Sequence, residues 1–370
     1  MKRATIIPLT TVMAAAALGL AACGGSTKTP QKTSAAYNAA LNAVVNPSSH
    51  KGGTIVFDAS STPDSTDPEN TYYAHMWNFA RLYSRALVTY KSVPGAAGND
   101  IVPDLATSLG QVSDNGLTWT YHIKSGVKFE DGTPVTSQDV KYAIERTYAR
   151  DVLPNGPSYY QVLLKDPTYP GPYKDNTPGK LGLTSVGTPN PTTIVFHLQH
   201  PFADFNYVAA IPQSAPVPPA KDKGANYQLH PVSTGPYKFA SYQPDKQFTL
   251  VKNPNWDPAT DPNRQQLADK IVVNLNVNAD TVDQNLIHNF ADVDLPGTGV
   301  QAAARAQILG SPSLKQNADD PLTGFVWFTY INTKVKPLKN VHCRRAVEYA
   351  ADKVAYQTAY GGPVAGGAIA

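Results

Sequence analysis

"PDLATSLGQVSDNGLTWTYHIKSGVKFEDGTPVTSQDVKYAIER", residues 103–146, carries three local signals in a fixed order. Residues 117–123 are a run of β-branched and aromatic side chains bounded by turn formers, which predicts a strand. Glu130-Asp131-Gly132-Thr133 then reads as a turn rather than a catalytic acid pair, because Asp-Gly supplies a positive φ at low cost. In Thr136-Ser137-Gln138-Asp139 a hydroxyl stands three residues before an acid, the pattern of a capped helix start. Val140, Ala143, Ile144 and Thr147 follow on one face, so 137–148 is expected to form an amphipathic surface helix lying over a core.

Outward from this stretch the same alternation continues. Strands are expected over 54–59, 193–198, 237–242, 247–252, 270–276 and 325–331, and helices over 73–88, 282–290 and 341–360. The last helix places Cys343, Val347, Ala350 and Val354 on one stripe, with Arg344, Arg345, Glu348 and Lys353 off it and Gly361 positioned to end it. The mixture predicts an α/β fold with more than one sheet. The 32 prolines gather in 154–178 and 212–219, with Tyr, Gly and Asn between them, as expected of loops that wrap or bind.

The chain has 370 residues, 42% hydrophobic and 16% charged, enough for a sizeable core and for two or more domains. Removing Lys2 and Arg3 from its 31 basic residues leaves 29 against 28 acids, which gives no warrant for nucleic acid as a partner. The start, Met1-Lys2-Arg3 and then an apolar run broken by Pro8, is too short and interrupted to span a membrane and reads as an export signal over 1–22. Leu20-Ala21-Ala22-Cys23 before Gly24-Gly25-Ser26 resembles the lipobox of bacterial lipoproteins, which implies cleavage before Cys23 and lipid on it. An ordinary secretory signal with an incidental cysteine is the alternative. With Cys23 lipidated, Cys343 has no disulfide partner and is expected as a small buried hydrophobe. Residues 23–51 are rich in Ser, Thr, Asn and Lys and read as a flexible tether with one weak helical patch over 35–45.

The enzyme motifs HExxH, GxSxG, CxxC and GxxxxGK[ST] do not occur. His197 and His200 flank Leu198-Gln199, and on a strand they would face opposite sides without an acid at ligand spacing, so no metal site and no cofactor is expected. Recognition is the better reading. Of 20 tyrosines and 4 tryptophans, many fall in or beside loops: Tyr72, Tyr73, Trp77, Tyr159, Tyr160 and Trp256 among them. Such rings give contact area with a polar handle and suit small or peptide-like ligands.

Residues 103–146 also resemble the signature region of the family 5 extracytoplasmic solute-binding proteins, the oligopeptide and dipeptide binders of ABC importers. The likeness lies in a P-x-L-A start, an S-D-x-G turn, an aromatic strand ending in G-V-x-F, and D-G-x-P-V-T-x-x-D-V entering a helix. Ser233-Thr234-Gly235-Pro236-Tyr237, Asn253-Pro254-Asn255-Trp256, Asn332-Thr333 and Arg344-Arg345-Ala346-Val347 through Asp352-Lys353 follow in the family's order.

What the resemblance implies is a two-lobed, type II clamshell binding protein. Lobe I with its extra subdomain is expected over 52–279 and the start of lobe II over 280–370, with the second lobe incomplete because the family's pattern continues beyond Ala370. A lobe ending there would expose an apolar face along 347–354 and would not close productively. The family's function implies capture of a peptide between lobes and delivery to a membrane permease with its ATPase, on the outer face of the cytoplasmic membrane. Asp67, Tyr72 and Tyr73 fall where lobe I approaches ligand, with Trp327 and Tyr330 as second candidates. Other solutes (a nickel chelate, a sugar, a siderophore), a lipid-anchored hydrolase and a receptor lipoprotein are the alternatives.

Overall fold

The computed structural model describes residues 36–297, 299–321, 328–359 and 361–364. In chain order the strands are β1 (Thr54–Asp58), β2 (Val88–Tyr90), β3 (Ile101–Pro103), β4 (Gln111–Ser113), β5 (Thr118–His122), β6 (Val186–Asn190), β7 (Thr193–His197), β8 (Tyr237–Gln243), β9 (Gln247–Lys252), β10 (Lys270–Asn274) and β11 (Val293–Asp294). The helices are α1 (Ala74–Ala80), α2 (Ser137–Arg146), α3 (Tyr159–Leu163), α4 (Phe205–Ala209), α5 (Ala279–Ile287), α6 (Ala302–Gly310), α7 (Pro312–Lys315), α8 (Val341–Ala350) and α9 (Lys353–Ala359). The fold is mixed α/β with more than one sheet, as the alternating patterns predict.

The first sheet runs β11-β1-β10-β9-β8. β1 is parallel to both neighbours, β10 and β11, while β9 and β8 continue as an antiparallel hairpin. Alternate residues Phe248 and Leu250 on β9, and Ile271 and Val273 on β10, point to one face. There they pack with Met76, Phe79 and Ala80 of α1 and with Tyr83. Phe79 meets Phe57 and Phe248 edge to face at 5.3 and 5.6 Å. The second sheet, β4-β5-β7-β6, is antiparallel and pairs Trp119 with Phe196 and Tyr121 with Ile194. Its core also takes Val140 and Ile144 of α2, Tyr160 of α3 and Phe205 of α4.

The opening stretch is built as read. Gly132 takes φ 89° in a turn closed by the Phe129 N–H to the Thr133 carbonyl at 2.9 Å. The Asp139 carboxylate accepts from the Thr136 N–H and hydroxyl, both at 2.7 Å. One expectation is corrected: α2 is no surface helix. Residues 140–146 are all buried, because the proline-rich loops cover its outer side, with the Val217 N–H donating to the Asp139 carbonyl and Tyr227 and Val217 packed on Tyr142 and Ala143.

Other elements differ from the sequence reading for local reasons. Helix 73–88 stops at Ala80, and its tail becomes a turn and β2. Helix 341–360 is two helices, because Asp352 starts a new one, its Oδ1 accepting the Ala355 N–H at 2.9 Å. No residue of α8 is buried; Val347 and Val354 are exposed, and Cys343 is half-buried rather than enclosed. Of the expected strand 325–331, residues 325–327 lie outside the described residues and 328–331 are not strand. Past residue 280, α5 leads into β11 on the first sheet and Leu295 packs in its core. Part of the expected tether is held: the Asn38 N–H donates to the Ala318 carbonyl and Asn38 Oδ1 accepts from the Asp320 N–H at 2.7 Å.

Candidate functional site

β10 lies on one side of β1, and the α5 crossover delivers β11 to the other. The carboxyl ends of β1, β10 and β11 therefore form a topological switch point, the place where open α/β sheets leave a crevice for ligands. Asp58, the last residue of β1, is buried there, and its two oxygens accept from Asn274 Nδ2 at 2.8 Å and Asn285 Nδ2 at 2.7 Å. The loop 59–73 leaves this edge. It is stitched to the end of β10 by the Ala59 N–H to the Asn274 carbonyl and the Val277 N–H to the Ala59 carbonyl, both 2.9 Å.

The loop then dives under the subdomain. Arg146, the last residue of α2, is wholly buried and binds Asp67 with both terminal nitrogens, at 3.1 and 2.7 Å. It also donates to Glu69, lies 3.2 Å from Asp222 through Nε, and stands 4.6 Å over the Tyr227 ring. Three carboxylates share one guanidinium, and burial forbids leaving the excess charge bare. Burial and the neighbouring Asp67 charge push Glu69 well above the usual carboxylate range. Burial alone would raise Asp67 too, but the Arg146 charge and hydrogen bonds hold it below that range. Asp67, expected as a ligand contact, is thus corrected to an internal anchor: it is buried and its oxygens are occupied by Arg146.

A second network is balanced. Arg85 and Arg264 both grip Asp104, at 2.9 and 2.5 Å, and Arg264 reaches Asp261 at 3.1 Å. Asp104 is the polar residue of the P-x-L-A start, so this motif carries a bolt between β3 and the chain near β10. Gly235 is equally structural: its N–H donates to the Tyr83 carbonyl, and a Cβ there would lie 2.8 Å from the Tyr83 carbonyl carbon.

Held from below by this clasp, the loop presents its last residues outward. Tyr72 and Tyr73 are 53% and 47% exposed. Tyr72 packs edge to face on Trp77 at 5.6 Å, and its hydroxyl meets that of Tyr159, from α3, at 3.2 Å. That hydrogen bond, with burial, pushes the Tyr159 phenol up to about 12. Tyr73 lies 5.2 Å from the His75 ring, whose pKa burial lowers against the pull of Asp64. Tyr330 is 86% exposed and touches Phe328 edge to face at 4.5 Å, and Trp327 lies outside the described residues, as does Cys23. The structure thus brings Tyr72, Trp77 and Tyr159 together. The partnership with Tyr159 was invisible in sequence, since 87 positions separate it from Tyr72.

An open groove of about 770 Å³ lies elsewhere, lined in part by Tyr142, Tyr173, Asp175, Lys180 and Asp222. Its floor is already satisfied: Asp222 accepts from the Tyr142 and Tyr173 hydroxyls at 3.0 and 2.8 Å, and Asp175 from the Thr177 and Gly182 N–H groups. His197 sits 3.3 Å from the Thr118 hydroxyl, a cross-strand contact. Among the described residues no helix is long and apolar enough to cross a membrane.

Residues 100–369 match the bacterial extracellular solute-binding proteins, family 5, middle region. The chain belongs to that family. It is 26% identical over 312 residues to the probable D,D-dipeptide-binding periplasmic protein DdpA of Escherichia coli (strain K12), covering 80% of this chain and 53% of that one. With the oligopeptide-binding protein OppA of Bacillus subtilis it shares 29% over 253 residues, 66% of this chain and 43% of that one. Among solved structures, the clavulanic acid biosynthesis oligopeptide binding protein 2 superposes with a TM-score of 0.82 at 45% identity, over 90% of this chain and 60% of that one. The family 5 chain described here spans about half the length of the first two relatives. Its fold is that of the two-lobed peptide-binding proteins, of whose length it spans part.

Proposed function

We propose that this chain is the solute-binding component of a bacterial ABC importer that takes peptides, tethered through lipid on Cys23 at the outer face of the cytoplasmic membrane. The observation that carries the reading is the braced aromatic ledge on the loop that follows β1, in a chain of this family. Relatives named for dipeptides and oligopeptides support peptide as the solute class. Tyr72 and Tyr73 meet the ligand from this lobe, with Trp327 and Tyr330 as further contributors. Ligand held by both lobes shifts the protein to its closed form through the extra contacts made there, and the closed form is what a permease recognises.

The test is thermal unfolding of the mature protein with a defined peptide mixture, followed by mass analysis of the mixture. Binding stabilises by about 2.7 kcal/mol at a ligand concentration one hundred times Kd, and the peptides are recovered intact. New cleavage products would contradict the reading, as would stabilisation by a nickel chelate, sugar or siderophore with none by peptides.

A further inference from the structure

We infer that the Tyr72–Trp77–Tyr159 ledge is a specificity subsite that selects an aromatic side chain of the ligand rather than a charged one. This rests on the peptide-binding reading and goes beyond it by naming the chemistry at one wall. The polar handles of the ledge are partly used internally. Trp77 Nε1 donates to the Thr71 carbonyl at 3.0 Å, and the two tyrosine hydroxyls bond each other. The rings are partly outward, with Tyr159 38% exposed beside the half-exposed Tyr72 and Tyr73.

The acids near the ledge are turned toward internal donors. Asp58 is held by Asn274 and Asn285, and Asp67 and Glu69 by Arg146. Asp64 accepts from the Ser65 N–H, the Thr71 hydroxyl and the Tyr72 N–H at 2.9, 2.6 and 2.7 Å. A charged side chain placed here would lose water and meet carboxylates whose oxygens already accept internal hydrogen bonds. A flat ring loses little water and gains offset or edge contacts with rings already fixed in place.

The rings are also held in place. The ledge is pinned from both sides: Arg146 clamps the loop below Tyr72, and the Asn155 N–H donates to Asn70 Oδ1 at 2.9 Å while Asn155 Nδ2 reaches the Asp64 carbonyl at 3.2 Å. Rings that are already ordered lose little entropy when a ligand arrives, so their contacts appear in the affinity.

The experiment measures Kd by calorimetry on the mature full-length protein, with alanine-based pentapeptides differing at one position: Phe, Leu, Lys, Arg or Glu. The expected result is that the Phe peptide binds about tenfold tighter than the Lys, Arg and Glu peptides and several-fold tighter than Leu. Tyr72→Ala and Tyr159→Ala should erase the Phe advantage, whereas Tyr159→Phe, which keeps the ring, should retain it. Equal affinities across the series, a preference for Arg or Lys, or a Phe advantage that survives both alanine variants would each overturn the subsite while leaving peptide binding standing. Wild-type protein that binds none of the five, nor any peptide of a random mixture, would overturn the peptide reading and the subsite with it.

Discussion

Glu145 offers a test of how the subdomain is held, because its carboxyl is buried with one partner for one oxygen. Oε1 accepts from the Leu183 N–H at 2.9 Å, Oε2 has no hydrogen-bond partner, and Lys141 Nζ stands 3.9 Å away. Burial pushes the group from 4.5 up to about 8, against the pull of the Leu183 hydrogen bond and Lys141. In the unfolded chain the proton leaves near pH 4.5; in the folded chain it stays until about pH 8. Between those values the folded state holds a proton that the unfolded state has released, so this group lowers stability as pH rises. Replacing it by Gln, which still accepts the Leu183 N–H, removes the titration. The gain over wild type should be about 1 kcal/mol at pH 5 and about 3 kcal/mol at pH 7, before any fixed packing offset. Urea unfolding of wild type and Glu145→Gln at both pH values reads the difference, in which packing offsets and Glu69, common to both proteins, cancel. A gain that grows by about 2 kcal/mol confirms the reasoning. An identical offset at pH 5 and pH 7 refutes it.

Arg146→Met should cost at least about 3 to 5 kcal/mol, since it strands Asp67, Glu69 and Asp222 together, and hydrogen exchange over 64–72 should rise with it. Asp104→Asn weakens the clamp on Arg85 and Arg264; a loss of about 3 kcal/mol in denaturant unfolding is expected, and a near-neutral result would mean that Asp261 suffices. At Gly156 a Cβ would collide with the Glu69 carbonyl oxygen, so Gly156→Ala should lose about 1 to 3 kcal/mol and lower ligand affinity by shifting the loop beneath Tyr72.

The parts of the fold legible in sequence are those whose causes are local. α2 announced itself through Thr136 and Asp139, the β8–β9 hairpin through two runs of strand formers, and the turn at Gly132 through its positive φ. β2, β3 and β4, each three residues long, carry too little pattern to stand out, and they exist because a neighbour supplies the ladder. The break at Asp352 was written as a capping residue inside an apparently continuous stripe. The site divides the same way. Tyr72 and Tyr73 stand out in sequence from their place after the first strand, and in the structure they are half-exposed. Asp67 was drawn to the ligand by the same argument, and the reason it turns inward, Arg146, lies 79 positions away. No short-range pattern marks such a partner, and an arginine at the end of a helix looks solvated until the proline-rich loops are seen to cover it.

The most direct test of the account is hydrogen exchange of the mature protein with and without a bound peptide, resolved to short segments. Bound peptide should protect 59–77 and 274–278, the loop and strand ends at the switch point, and leave the groove around Tyr142, Lys180 and Pro219 unchanged. Protection confined to that groove, with 59–77 exchanging as before, would contradict the placement of the ligand at the carboxyl edge of the first sheet.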